Sequence, residues 1–298
     1  MLRFAKVIIS LFVACILFAF VLDEIYNRMY HNGKRVNRVK FLLDQKDKHY
    51  DIIFIGSSRV VNTIIPEVFD DELGLNTINL GIMDAQPKDV LCIAKLLKEN
   101  RITYNTLFVQ LDYYYNSLNK SRFLTYQLLP YIKNYNAVND YFKDEADYYL
   151  LRYLPFYNYA NNDSKLGLRS QLSMLFKKDN SLLKNKGFEP LHGYGNTWQR
   201  VLPDKIIDSN DYINRLEAFK RANNLNIKYF VTPFRSDTKK LSFIDSLEIK
   251  VPGIIDFSKA IQDDLSFKNG YHLNETGALK FSKIFSNYLK KNQPNNAI

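Results

Sequence analysis

The sequence predicts an α/β protein: a three-layer, doubly wound, mostly parallel sheet, with one membrane-spanning helix ahead of it. Three observations carry that expectation. Short apolar runs ending near glycine or proline recur along the chain, as buried parallel strands do. Segments of helical periodicity alternate with them, which implies crossover connections and helices on both faces of the sheet. The first apolar run, residues 4–22, is far too long for a strand.

That run, FAKVIISLFVACILFAFVL, holds nineteen residues and a single charge, Lys6. As a helix it would be about 28 Å long, close to the hydrocarbon thickness of a bilayer. Asp23 and Glu24 end it sharply. A cleaved signal peptide would need a small-x-small site, which is missing around AFVLDE, and a core helix apolar on every face is rare at a chain start. The expected organisation is an anchor at 4–22, a basic juxtamembrane linker at 23–49, an α/β body at 50–291 and a polar tail at 292–298. The lipid bilayer is then the first expected partner. Arg3 and Lys6 favour an inside N-terminus, whereas Arg28, Lys34, Arg35, Arg38 and Lys40 lie on the other side of the run and oppose it.

Composition narrows the function classes. The 298 residues, 46% hydrophobic and 14% aromatic, suit one large domain or two small ones and exclude a disordered chain. Two cysteines, Cys15 and Cys92, give no disulfide framework and no thiolate metal site, and four histidines leave little for a metal centre, so neither metal nor cofactor is expected. Half of the net charge of +10 lies in residues 25–50, and no zinc-finger or RNA-binding motif accompanies it, so nucleic acid is not an expected partner.

Within the body, strands are expected at 51–56, 77–80, 107–111, 227–231 and 254–257. Helices are expected at 86–100 and 210–224, with a final one capped by Asn274 and running to about Lys290. Thirteen of the 21 tyrosines fall between Tyr104 and Tyr159, where the strand–helix rhythm breaks. Residues 113–202 are read as a helical, aromatic-rich insertion over the carboxyl edge of the sheet, its tyrosines mostly packing residues and otherwise a sugar-stacking lid.

Three places could carry chemistry. Gly56-Ser57-Ser58-Arg59 follows the first strand, where glycine allows a sharp turn and a serine at the opening of a helix can attack a carbonyl beside its own N–H. A serine there is otherwise an ordinary helix cap. Gly81 follows the second strand, so its N–H is expected near the end of the first. His272 lies in a loop after the last strand, in NGYHLNETGA, where a base could meet that serine. The Walker loop, the Gly-x-Ser-x-Gly elbow and the dinucleotide fingerprint are missing.

In this order these residues resemble the SGNH hydrolase superfamily, also called the GDSL lipase/esterase superfamily. The likeness is to its membrane-anchored bacterial branches, which act on acyl groups of cell-wall or exported polysaccharides. It covers roughly residues 50–111 and 225–290. The resemblance implies an SGNH/flavodoxin-like fold, with Ser58 as nucleophile, His272 as base, and the N–H groups of Ser58 and Gly81 as the oxyanion hole. It implies a serine acyl esterase or O-acyltransferase acting on a cell-surface or exported glycan, with the body outside the cytoplasmic membrane. Arg59 is expected to contact an anionic substrate or to be only a helix-surface cation. Three positions depart from the family pattern: Ser57 replaces its aspartate, Asn269 stands where an aspartate orients the histidine, and Gln110-Leu111-Asp112-Tyr113 lacks its third-block asparagine. Asn269 or Asp112 is therefore the expected orienter of His272. The alternative is a catalytically weak or inactive member, binding glycan or serving envelope assembly partners.

Overall fold

A computed structural model describes residues 1–33, 37–169, 184–195 and 199–292. Among them five strands form one sheet: β1 (His49–Ile55), β2 (Thr77–Asn79), β3 (Thr103–Gln110), β4 (Ile227–Val231) and β5 (Ile255–Asp256). The order is β2-β1-β3-β4-β5 and every neighbouring pair is parallel. The order reverses at β1, so the chain leaves β1 and β3 in opposite directions, the arrangement in which open α/β sheets bind ligands beyond the carboxyl ends of the strands. The strands read as continuous apolar runs because both faces are covered. Ile53, Ile55, Leu107, Val109, Tyr229 and Val231 enter one buried cluster, and Ile52, Phe54, Phe108 and Phe230 enter the other.

The helices, in chain order, begin with α1 (Leu2–Asn32), α2 (Arg38–Leu43), α3 (Ser58–Val61), α4 (Pro66–Leu73) and α5 (Pro87–Glu99). Then come α6 (Arg122–Leu128), α7 (Asn136–Phe142), α8 (Tyr148–Tyr153), α9 (Tyr157–Ala160) and α10 (Asp163–Leu166). The described set ends with α11 (Asp211–Ala222), α12 (Phe243–Lys250) and α13 (Glu275–Asn292). Helices α5, α11 and α12 cover the first face through Val90, Ile93, Leu97, Ile213, Leu216 and Leu247. Helices α4 and α13 cover the second through Phe69, Phe281 and Phe285. Phe285 is the keystone there, 5.5 Å from Phe54, 5.2 Å from Phe108 and 5.1 Å from Phe230 between ring centroids.

Helix α1 is long and apolar enough to cross a membrane, and no residue of its most hydrophobic stretch is buried. The basic segment after it is not the linker expected from the sequence. Helix α1 continues to Asn32, and α2 buries Val39, Phe41 and Leu42 in the core. Arg38 is buried too, donating to the carbonyls of Gly81 and Gly187, each at 2.7 Å. Lys34 and Arg35 lie outside the described residues, as does 293–298 of the expected tail. The helices of the expected insertion pack against α2, α5 and the end of α1 rather than over the carboxyl edge alone. Tyr113, Tyr115, Tyr131, Tyr141 and Tyr159 are buried packing residues. Residues 170–183 and 196–198 of that insertion lie outside the described residues.

Candidate active site

The carboxyl end of β1 makes the first half of the site. Gly56 has φ +152, and a Cβ there would stand 2.7 Å from both Gln110 Cβ and Val60 Cγ2, so only glycine lets the chain turn this close to β3. Ser57 then caps α3, its hydroxyl accepting from Arg59 N–H at 3.2 Å and donating to Gln110 Oε1 at 2.8 Å. Ser58 is the first residue of α3. Its N–H has no acceptor among the described residues, as expected of a first-turn amide.

The second half comes from the loop before α13. Asn274 pins that loop, accepting from Gly277 N–H at 2.9 Å and donating to the Leu265 carbonyl at 2.7 Å. The two halves meet: Ser58 Oγ lies 2.7 Å from His272 Nε2, across 214 residues of sequence.

The polarity of that contact is set by Asn269. Its Oδ1 accepts from the backbone N–H of His272 at 2.9 Å and of Tyr271 at 3.2 Å. This fixes the amide so that Nδ2 faces His272 Nδ1, at 3.2 Å. A neutral imidazole answering an amide donor carries its own proton on Nε2, so His272 donates to Ser58 rather than accepting from it. Burial, then the nearby Arg59 and Arg200 cations, hold the imidazole down to about 4, so it is neutral near pH 7.

Two expected roles are corrected. Asp112 does not orient His272. It is fully buried, and its Oδ2 accepts from Arg59 Nη1 at 2.8 Å and Gln110 Nε2 at 2.7 Å, while Oδ1 accepts from Tyr114 N–H at 3.1 Å. Nor is Arg59 a helix-surface cation, being only 1% exposed. Its guanidinium also donates to the Thr232 and Pro233 carbonyls, at 2.8 and 2.6 Å, and stacks 3.7 Å from the Phe234 ring centroid. Burial raises the Asp112 carboxyl and lowers the Arg59 guanidinium, and each is the other's main compensating charge.

Gly81 also differs from expectation. Its N–H donates to Asn79 Oδ1 at 3.0 Å, within the same turn, and is therefore occupied. A Cβ at Gly81 would stand 2.9 Å from Val60 Cβ and Val61 N, so the glycine serves the close approach of this loop to α3. Of the two expected oxyanion donors, Ser58 N–H is the one left open.

Sequence reasoning missed Arg200. Its Cζ sits 4.1 Å from the Tyr113 ring centroid and 5.1 Å from that of Tyr271, which in turn lies 4.4 Å from the His272 ring. No carboxylate among the described residues pairs with it, and its Nε is buried without a partner. Arg200 follows no motif and no periodicity, so no local signal marks it. A cavity of about 1050 Å³ is lined by Asp84, Lys88, Tyr114, Lys120, Arg122 and Tyr126 among others, and neither Ser58 nor His272 lines it. No cluster of three or more His, Cys, Asp or Glu residues suited to a metal occurs among the described residues.

No protein-family model matches the chain, and no curated protein matches it either.

Proposed function

We propose that this chain is a slow, membrane-tethered serine acyl-transfer enzyme of SGNH type, an esterase or O-acyltransferase working on a surface or exported glycan. The observation that carries the reading is the 2.7 Å contact between Ser58 Oγ and His272 Nε2. The strand order supports it as well, being the flavodoxin-like order in which ligands bind beyond the carboxyl ends of the strands. In the reactive tautomer His272 carries its proton on Nδ1 and takes the hydroxyl proton of Ser58 at Nε2. Ser58 Oγ then bonds to the ester carbonyl carbon, and the Ser58 N–H faces the developing oxyanion. His272 returns the proton to the departing alcohol, leaving an acyl-serine. Water completes hydrolysis, and a sugar hydroxyl completes transfer. Arg200, a cation that forms no salt bridge among the described residues, favours a substrate with a negative charge near the ester. The glycan and the extracytoplasmic placement follow from the family resemblance.

The test is release of acetate from acetylated acidic and neutral oligosaccharides by the full chain in detergent. Activity lost in both Ser58→Ala and His272→Ala, with circular dichroism unchanged, is the expected result. Equal turnover by Ser58→Ala and the parent would end the serine mechanism.

A second reading has its own observation: the Asn269 amide holds His272 in the unreactive tautomer. On that reading the chain binds glycan, or joins an envelope assembly, without turnover. It gains if the parent and Asn269→Asp are both inert while Ser58→Ala still binds the oligosaccharide.

A further inference from the structure

The end of α1 is locked to the body on one face. Asp23, the first residue after the apolar run, is only 7% exposed. Its carboxylate accepts from Lys133 Nζ at 2.7 Å, Asn27 Nδ2 at 3.2 Å and Phe156 N–H at 3.0 Å. Three residues on, the Tyr26 ring lies 5.1 Å from both Phe156 and Tyr159. One turn back, Ala19 is already half-buried, although it belongs to the apolar run. The Phe156 backbone is therefore held at the level where the run leaves the hydrocarbon.

Helix α8 ends three residues before Phe156. It turns Leu151 into the core and leaves Tyr149 at 73% and Tyr153 at 65% exposed, with Leu150 and Leu154 also exposed. The two tyrosine rings stack along the helix at 6.3 Å. Two residues of chain span at most about 7 Å, so Leu154 cannot stand far from the level of Asp23. Tyrosines with neighbouring leucines, at that height, have the composition of a membrane-interface belt, where the ring is apolar and the hydroxyl stays wet.

We propose that the face formed by Tyr149, Leu150 and Tyr153 of α8, with Leu154 just after it, rests in the headgroup region of the bilayer beside α1, giving the body a second, peripheral membrane contact. The proposal rests on α1 spanning the bilayer, and continuity with α1 selects lipid as the occupant.

The experiment uses the full chain in phosphatidylcholine/phosphatidylglycerol nanodiscs, with Cys15→Ser and Cys92→Ala as background. Single nitroxide labels replace Phe12, Tyr149, Tyr153 or the exposed Ile249 of α12. Collision with lipid-soluble oxygen is compared with collision with a water-soluble nickel chelate. The expected result is a ratio at 149 and 153 severalfold above that at 249 and below that at 12. A lipid-buried label at 12 with 149 and 153 as wet as 249 overturns the proposal and leaves the anchor standing. A wet label at 12 overturns the anchor, and the proposal with it. Dipolar broadening between labels at 153, with both quenchers shut out, would give the face to a second copy of the chain and equally overturn it.

Discussion

Replacing Asn269 with aspartate reverses one hydrogen bond and should thereby turn a slow site into a faster one. In the parent, presenting Asn269 Oδ1 to His272 Nδ1 requires turning the amide over and abandoning the backbone N–H groups of His272 and Tyr271, now at 2.9 and 3.2 Å. Leaving each partly buried donor unpaired costs about 1–3 kcal/mol. The reactive tautomer is thus reached at a penalty of roughly 2–6 kcal/mol, and 1.36 kcal/mol is a factor of ten in rate. An aspartate keeps both backbone bonds with one oxygen and accepts from Nδ1–H with the other. It also places a negative charge beside the imidazolium that forms, and the reverse exchange in the chymotrypsin triad costs about 10⁴ in kcat. The expected gain for Asn269→Asp is about 10²–10⁴ in acetate release, abolished in the Ser58→Ala/Asn269→Asp double variant. The acid limb of the pH–rate profile, where protonation removes the His272 base, should move to higher pH as well. An opposite charge at this distance raises a histidine by about 1–3 pH units, here from a parent value of about 4. Retained fold with no gain and no movement of that limb would refute the tautomer argument, because the carboxylate would then change nothing that limits turnover.

Other perturbations separate structure from chemistry. Arg59→Ala leaves the Asp112 carboxylate buried and uncompensated, and should destabilise the chain by about 3–5 kcal/mol in urea unfolding of the solubilised protein; a loss under about 0.5 kcal/mol would show that the pair is not desolvated. Two buried groups should bend the acid stability curve in opposite senses. Asp89, raised by burial to about 6 and receiving Tyr141 Oη at 2.6 Å, binds more protons folded than unfolded, so its contribution is full below about 4 and disappears as pH rises through 6. His272, lowered to about 4, binds fewer protons folded, so its contribution is full above about 6.5 and disappears as pH falls through 4. Asp89→Asn should therefore steepen the acid loss and His272→Gln should flatten it; the same slope in both variants would contradict the assignment. Arg200→Gln should raise KM for acidic acetyl esters and leave neutral ones unchanged, and an equal effect on both would remove Arg200 from substrate recognition.

What could be read from the chain follows the range of each signal. The sheet was legible because DIIFIG and its counterparts carry apolar residues for both faces, a pattern independent of anything distant. Helix α4 escaped, although Pro66 opens it and Gly74, at φ +66, closes it, because in eight residues only Val68, Phe69 and Leu73 give it an apolar face beyond the proline. Ser58 and His272 stood out by their local punctuation, a glycine before one and an asparagine cap after the other. Partners set by tertiary geometry did not. Asp112 reads as a free carboxylate until Arg59, 53 residues away, is seen to take it. Gly81 lies between these cases: its competitor Asn79 is only two residues back, so the asparagine turn that occupies its N–H is a local signal in the sequence. The amide orientation of Asn269 depends on two backbone groups in the folded loop, and composition cannot encode it.

The placement of His272 ahead of α13 orders events during synthesis. The loop is held by Asn274 at the mouth of that helix, and the helix is held by Phe281 and Phe285 against the phenylalanines of β1, β3 and β4. On a ribosome, α1 and the serine turn emerge more than two hundred residues before this clamp exists. A nascent chain with its anchor already in the bilayer would carry Ser58 with no imidazole beside it, and the contact could form only once α13 had cleared the exit tunnel and docked. On the proposed mechanism Ser58 stays unassisted through most of translation, so the timing of translation itself withholds the pair until the last layer of the fold is laid down.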